Sequence, residues 1–205
     1  CGPARIPVVD VAGYLTAFGL ATAAGLNAWF PLLAVGLLAR YTGLIDLQGE
    51  WAQLTDTTVL LGLAGVSVVD FIGDKIATVD HVLHAIGTVV APVTGIVSAL
   101  GATDSLDVSP AVVTVIGLVA AETTHGSRLA LRPFVTAGTA GTGNPIVSLV
   151  EDVFSGVLSV LAIAAPIIAF LLIILLAWVV WRMFRRMRRW RRERRGSGRP
   201  PPAPA

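Results

Sequence analysis

Five stretches of the chain, Leu15 to Arg40, Thr57 to Lys75, Val82 to Leu100, Pro110 to Leu131 and Phe154 to Trp181, are mainly apolar. Each is close to or longer than the about 20 residues that carry an α-helix across a bilayer. No other feature constrains the fold as much, because backbone N–H and C=O groups in hydrocarbon must be satisfied within the protein itself. The composition agrees: 55% of residues are hydrophobic and 14% charged, against about 25% charged in an ordinary soluble domain. The expected fold is an all-α, polytopic membrane helix bundle of about five transmembrane helices with no extramembrane domain. Residues 1–181 are expected to form the transmembrane domain and 182–205 a basic, proline-rich, disordered cytoplasmic tail. A break near Gly25 that re-enters the membrane, or a dip of Ile146 to Gly156 into it, would change the count.

Charge is distributed unevenly. Ten of the 15 Lys and Arg lie between Arg182 and Arg199, where Glu193 is the one acid, so the tail is +9 and the rest of the chain −7. The positive-inside rule makes that end cytoplasmic, and Trp178, Trp181 and Trp190 suit an interfacial belt. Anionic lipid headgroups are the expected partners of the tail, at roughly 1 kcal/mol per basic residue near the surface. No specific nucleic-acid partner is expected, because the run has no accompanying binding fold. A second copy of the chain or another membrane protein is the other expected partner. Cys1 at the start is expected to mark an incomplete reading frame rather than a lipidated terminus, and a single cysteine forms no internal disulfide.

Ionisable groups nevertheless sit beside the apolar runs. "VVDFIGDKIATVDHVLH", Val68 to His84, holds Asp70, Asp74, Lys75 and Asp80. Ser67, Asp70 and Asp74 share one helical face, and an acid at mid-membrane costs on the order of 3 kcal/mol, so that face should meet protein or water. In "GLVAAETTHGSRLALRP", Glu122, His125, Arg128 and Arg132 fall three, three and four apart and form one stripe. Its lead-in "VIGLVAA" is similar to "LLGLAGV" of the second run, which sets Asp70 opposite His125 and suggests a weak internal repeat of the kind transporters show. The third charged element, "GTGNPIVSLVEDVFSG", starts with Asn144 as an expected helix cap and places Glu151 and Asp152 in the first turns. Ser109 before Pro110 is the other expected cap.

In the third run, Gly87, Ala91, Gly95 and Ala99 recur every four residues. Such a ridge of small residues lets helices approach closely, and it is expected to pack on another helix of the same chain. Pro31, Pro92 and Pro166 are expected kinks. His81 and His84 lack the spacing of a zinc motif, and there is no nucleophile elbow, phosphate loop or dinucleotide fingerprint. No catalytic residues, metal or cofactor are therefore expected.

Three ordered blocks carry a resemblance: "AAGLNAWFPLLAVGLLARY", "GDKIATVDHVLHAIGTVVAPVTG", and "HGSRLAL" followed by "GNPIVSLVEDVFS". Together they resemble a family of small bacterial integral membrane proteins known only as domain of unknown function 4126. Ala77 and Ala91 stand where that family commonly has proline and arginine. The resemblance implies a bacterial inner-membrane address and no particular reaction.

The expected function is therefore a small transporter or channel-like protein. Its intramembrane site would be built from Asp70, Asp74, Lys75, Asp80, Glu122, His125, Arg128, Asn144, Glu151 and Asp152. Such groups serve a proton, an ion or an anionic amphiphile whose headgroup meets the arginines. The alternative is a structural or assembly membrane protein that binds partner proteins or lipids, without transport activity.

Overall fold

The structure, a computed structural model, describes residues 8–73 and 77–196. Among them it has seven α-helices: α1 (Val8–Leu26), α2 (Phe30–Thr42), α3 (Thr57–Gly73), α4 (Ala77–Thr103), α5 (Pro110–Thr139), α6 (Asn144–Ala164) and α7 (Pro166–Gly196). A short 3₁₀ segment, Gly49–Thr55, precedes α3. The described residues fall into two compact units, divided between residues 170 and 171.

Two of the expected continuous spans are broken, each at a proline. Proline has no N–H for the carbonyl four residues back and its ring crowds that carbonyl. Pro31 acts in this way on Asn27, so α1 ends at Leu26 and α2 begins at Phe30. Pro166 does the same after α6, where Ala165 takes φ −151° and ψ 68°. These prolines divide helices, whereas Pro92 lies inside the unbroken α4. Among the described residues, two helical segments, Ala85–Thr103 and Asn144–Ala164, are long and apolar enough to cross a membrane. The count rises to three if the bent pair of Gly49–Thr55 and α3, which meet at 63°, is one span. By this measure five spans are not reached.

Helix α1 is the centre of the first unit, with Ala17, Leu20, Ala21, Ala23 and Ala24 almost wholly buried. Small residues bring its neighbours in. A Cβ on Gly19 would lie 2.6 Å from Ala162 of α6, and one on Gly25 would lie 2.5 Å from the Ala121 carbonyl oxygen of α5. The α4 ridge faces α5 and α1: a Cβ on Gly95 would meet the Ala121 and Ala24 side chains and one on Gly87 the His125 ring, while Ala91 and Ala99 are buried. Ala99 joins Ala17 and Val113 in a small apolar cluster. Arg40, at the end of α2, donates to the Thr55 carbonyl and the Thr57 hydroxyl at 2.9 and 2.8 Å, which fixes where α3 begins.

Helix α6 and the second half of α5 bury polar side chains against the unit. On α6, Ser148, Asp152, Ser155 and Ser159 are buried, while Ile146, Val150, Val153 and Val157 are exposed. On α5, His125, Arg128 and Arg132 are buried and Val115, Leu118 and Val119 exposed. A helix on the surface of a water-soluble protein has the opposite arrangement.

Neither expected cap makes a side-chain bond to its helix. Ser109 occupies the N-cap position of α5, but the contact it makes is through its backbone N–H, which donates to the Tyr14 hydroxyl. Gly143 is the N-cap of α6, and Asn144, already helical, donates from Nδ2 to Thr136 Oγ1 at 2.9 Å. In the second unit α7 runs on through the basic stretch to Gly196. Arg182 and Arg185 lie over the Trp178 and Trp181 rings, each one turn back, at 5.3 and 3.9 Å from the ring centres. Residues 197–205 lie outside the described residues.

Candidate functional site

Asn27, 1% exposed, organises the break between α1 and α2. Its Nδ2 donates to Asp70 Oδ2 of α3 at 2.9 Å and to Asp152 Oδ1 of α6 at 3.0 Å. Its Oδ1 accepts the backbone N–H groups of Trp29 and Phe30 at 3.1 and 3.3 Å, at the start of α2. Two backbone donors face the oxygen, so the orientation of the amide is determined, and its two N–H groups serve one carboxylate each. Ser155 Oγ of α6 donates to the Ala23 carbonyl oxygen at 2.8 Å and lies 3.4 Å from the Asn27 carbonyl oxygen, the one Pro31 leaves without its helical partner. Asn27 thereby ties α1, α2, α3 and α6 together, with carboxylate oxygens from two different helices within 3.0 Å of one nitrogen.

A second polar group lies between α5 and α6. Arg128 Nε donates to Glu151 Oε2 at 2.7 Å, and Arg132 Nη2 donates to the same oxygen at 3.1 Å. The two arginines are 7% and 8% exposed. Charge-assisted bonds of this length are the stronger kind. Adjacent Glu151 and Asp152 thus take different partners: Glu151 meets α5, while Asp152 meets Asn27.

Between the α1–α2 break and helices α3, α4 and α5 lies a cleft of about 690 Å³, counting its open mouth. Asp70, His125 and Arg128 are on its walls, with Ala28, Trp29 and Gly87 beside them. One helical turn away from Asp70, Ala28 and Gly87 the lining is Val66, Ala24 and Ala91. The cleft therefore has a polar level and an apolar level.

The family described as Domain of unknown function (DUF4126) matches residues 14–186. The chain belongs to this family. No curated protein and no solved structure matches it. Asn27, Asp70, His125, Arg128, Glu151 and Asp152 all fall inside the DUF4126 domain, as does the whole lining of the cleft.

Within that domain the expected site residues are placed as follows. Asp70, His125 and Arg128 share the cleft, Asp152 is linked to Asp70 through Asn27, and Glu151 holds Arg128. Glu122 is exposed and takes no part. The buried face of α5 runs through Ala121, His125, Arg128 and Arg132, so three members of the expected stripe lie on it and Glu122 lies off it. Asn144 stands at the far end of α6, bonded to Thr136. Asp74 and Lys75 lie outside the described residues, as does the side chain of Asp80 on α4. Among the described residues no group of three or more His, Cys, Asp and Glu could hold a metal ion.

The residue that sequence reasoning missed is Asn27. Its signal was present: one of two asparagines in the chain, it lies in an apolar run four residues before a proline. Ser155, equally central, gives no such signal.

Proposed function

We propose that the chain is a small integral membrane protein acting as a transporter or channel, which passes an ion, a proton or an anionic amphiphile through a polar site within its helix bundle. The observation that carries this reading is the broken helix at Asn27, whose amide holds acids from two other helices. Transporters build their sites at discontinuous helices in this manner, because unwound backbone and half-helix ends supply polar groups that an intact helix keeps to itself. The exposed apolar faces of α5 and α6 favour hydrocarbon surroundings, and buried ionisable groups in such surroundings mark a pathway or site by default. The proposal includes a bacterial inner-membrane location with the basic end of α7 cytoplasmic, near anionic headgroups.

A structural or assembly role is favoured by one observation, the Arg128–Glu151–Arg132 group that holds α5 to α6. Flux measurements on reconstituted liposomes separate the two. With a pH dye, a membrane-potential dye and a labelled amphiphile as probes, the chain should move at least one above protein-free liposomes. Asp70→Asn should cut that movement about tenfold while expression and thermal unfolding stay near the parent's. Loss of stability with no flux in the parent protein would assign the charges to holding helices together.

A further inference from the structure

The outward face of α5 carries polar groups where lipid would lie. Val112, Val115, Leu118 and Val119 are exposed on it, but Glu122, Thr123 and Gly126 follow and are exposed as well. The loop before α5 holds exposed Asp104 and Asp107, which in a membrane puts the start of the helix at the water-facing surface. Glu122 lies about 18 Å along the helix from Pro110, well inside a hydrocarbon layer of about 30 Å. A carboxyl group at that depth is disfavoured against lipid, and membrane acids face protein or a water-filled cavity. Neither polar side chain has a partner among the described residues. Thr114, Thr124 and Ser127 of the same helix each donate to the carbonyl four residues back, at 2.8, 2.8 and 2.7 Å. Thr123 does not, so its hydroxyl keeps a donor beside the acceptor oxygens of Glu122.

At about 3.6 residues per turn, Val119, Gly126 and Ala130 fall along one line of this face, and Glu122 and Thr123 flank the line on opposite sides. A Cβ on Gly126 would have nothing within 4 Å, so the backbone there is open to the close approach of another helix. Two copies inserted in the same direction hold their α5 helices parallel, and a two-fold contact sets one patch against itself. In a parallel pair the left flank of one helix faces the right flank of the other, as e and g positions do in a coiled coil. Glu122 of each copy then meets Thr123 of the other at the same height, and acceptor faces donor. We infer that the chain forms a two-fold dimer in the membrane through this face of α5, with Gly126 at the crossing and a Thr123-to-Glu122 hydrogen bond exchanged in both directions. The dimer rests on the proposed membrane placement and is independent of transport.

Two measurements on the full chain test it. In a Cys1→Ser background, free of cysteine, Val119→Cys lies on the proposed contact and Ile146→Cys on the exposed face of α6. Oxidation with copper phenanthroline in membranes should link the first into a disulfide dimer and leave the second monomeric. For the second measurement, the chain labelled at Cys1 with a donor or an acceptor dye is diluted with lipid in liposomes, and energy transfer gives the dissociation constant. Gly126→Ile and Glu122→Leu should each weaken association about tenfold, and Thr123→Val about fivefold. Glu122→Gln keeps an acceptor oxygen and should stay within about threefold of the parent. All three positions are exposed, so thermal unfolding of the diluted variants should match the parent's. Equal linking at both cysteines, or association that neither Gly126→Ile nor Glu122→Leu weakens, overturns the dimer. Flux from a chain that stays monomeric at every dilution also removes the dimer and leaves transport standing, whereas a dimer without flux does the reverse. Release of the parent from membranes by alkaline carbonate removes the placement on which both rest.

Discussion

Asn27 combines two tasks that are usually separate. Its oxygen takes the first amides of α2, and its nitrogen holds a carboxylate from α3 and another from α6. In Asn27→Ala the buried carboxylate of Asp152 and the two amides lose this partner. A hydrogen bond to a charged group contributes about 1.5–3 kcal/mol, so the loss should be on the order of 3 kcal/mol. Asn27→Asp should be worse than alanine, because it withdraws both donors and adds a third carboxylate where the local dielectric is low. Thermal unfolding of the three proteins in one detergent measures the order. An aspartate variant as stable as the parent would mean that the site does not hold both acids in charged form. Glu122 gives the complementary lesson, since helical spacing alone leaves a face uncertain by one position, and one position moves a carboxylate from the cleft to the outer surface.

At the level of the helices, close approach at glycine decides which substitutions are tolerated. At Gly25 an added Cβ would meet the Ala121 carbonyl oxygen and Thr124 Cβ, each at 2.5 Å, and at Gly95 it would meet Ala121 Cβ at 2.8 Å. Backbone cannot move aside as a flexible side chain can, so Gly25→Ala should cost about 1–3 kcal/mol, and Gly95→Ala somewhat less within that range. Gly65 on α3 has nothing within 4 Å of such a Cβ, and Gly65→Ala should be neutral or stabilising by up to about 1 kcal/mol from helix propensity. The same unfolding measurement ranks the three, and equal losses at Gly65 and Gly25 would contradict the packing described. The helix breaks themselves were legible, because a proline removes a bond that the sequence alone identifies. Whether the interruption kinks a helix, as first expected at Pro31, or divides it depends on whether another helix satisfies the freed carbonyl. Here Ser155 of α6 bonds the last turn of α1 at Ala23 and stands beside the Asn27 carbonyl.

For the whole molecule, the inward polar faces of α5 and α6 and their outward aliphatic faces agree with the excess of apolar residues over charged ones. The proposed orientation follows from the arginines at the end of α7. A fluorescent protein fused after Ala205 should fold and fluoresce, and an alkaline phosphatase fused there should be inactive, because both report a cytoplasmic end. Replacing the nine arginines from Arg182 to Arg195 by glutamine should produce a mixture of orientations, since the basic bias sets the side on which the end is held. An active phosphatase on the unaltered chain would reverse the proposed topology.

Sequence alone determined the helical class, because apolar runs of this length with so few charges leave the backbone no other partner than itself. It also determined the family, through ordered motif blocks spread over most of the chain, and the stretches in which ionisable groups occur. Only the tertiary structure decided which of those groups meet. Helical period assigns a residue to a face but does not say which helix lies opposite, and the partner of Asp70 comes from 43 residues away and that of Asp152 from 125. Both partners are Asn27, a neutral residue in the first apolar run, where a search guided by charge does not look. The cleft was equally hidden, because it exists only where α3, α4, α5 and the break after α1 enclose one space, and no single segment contains its shape.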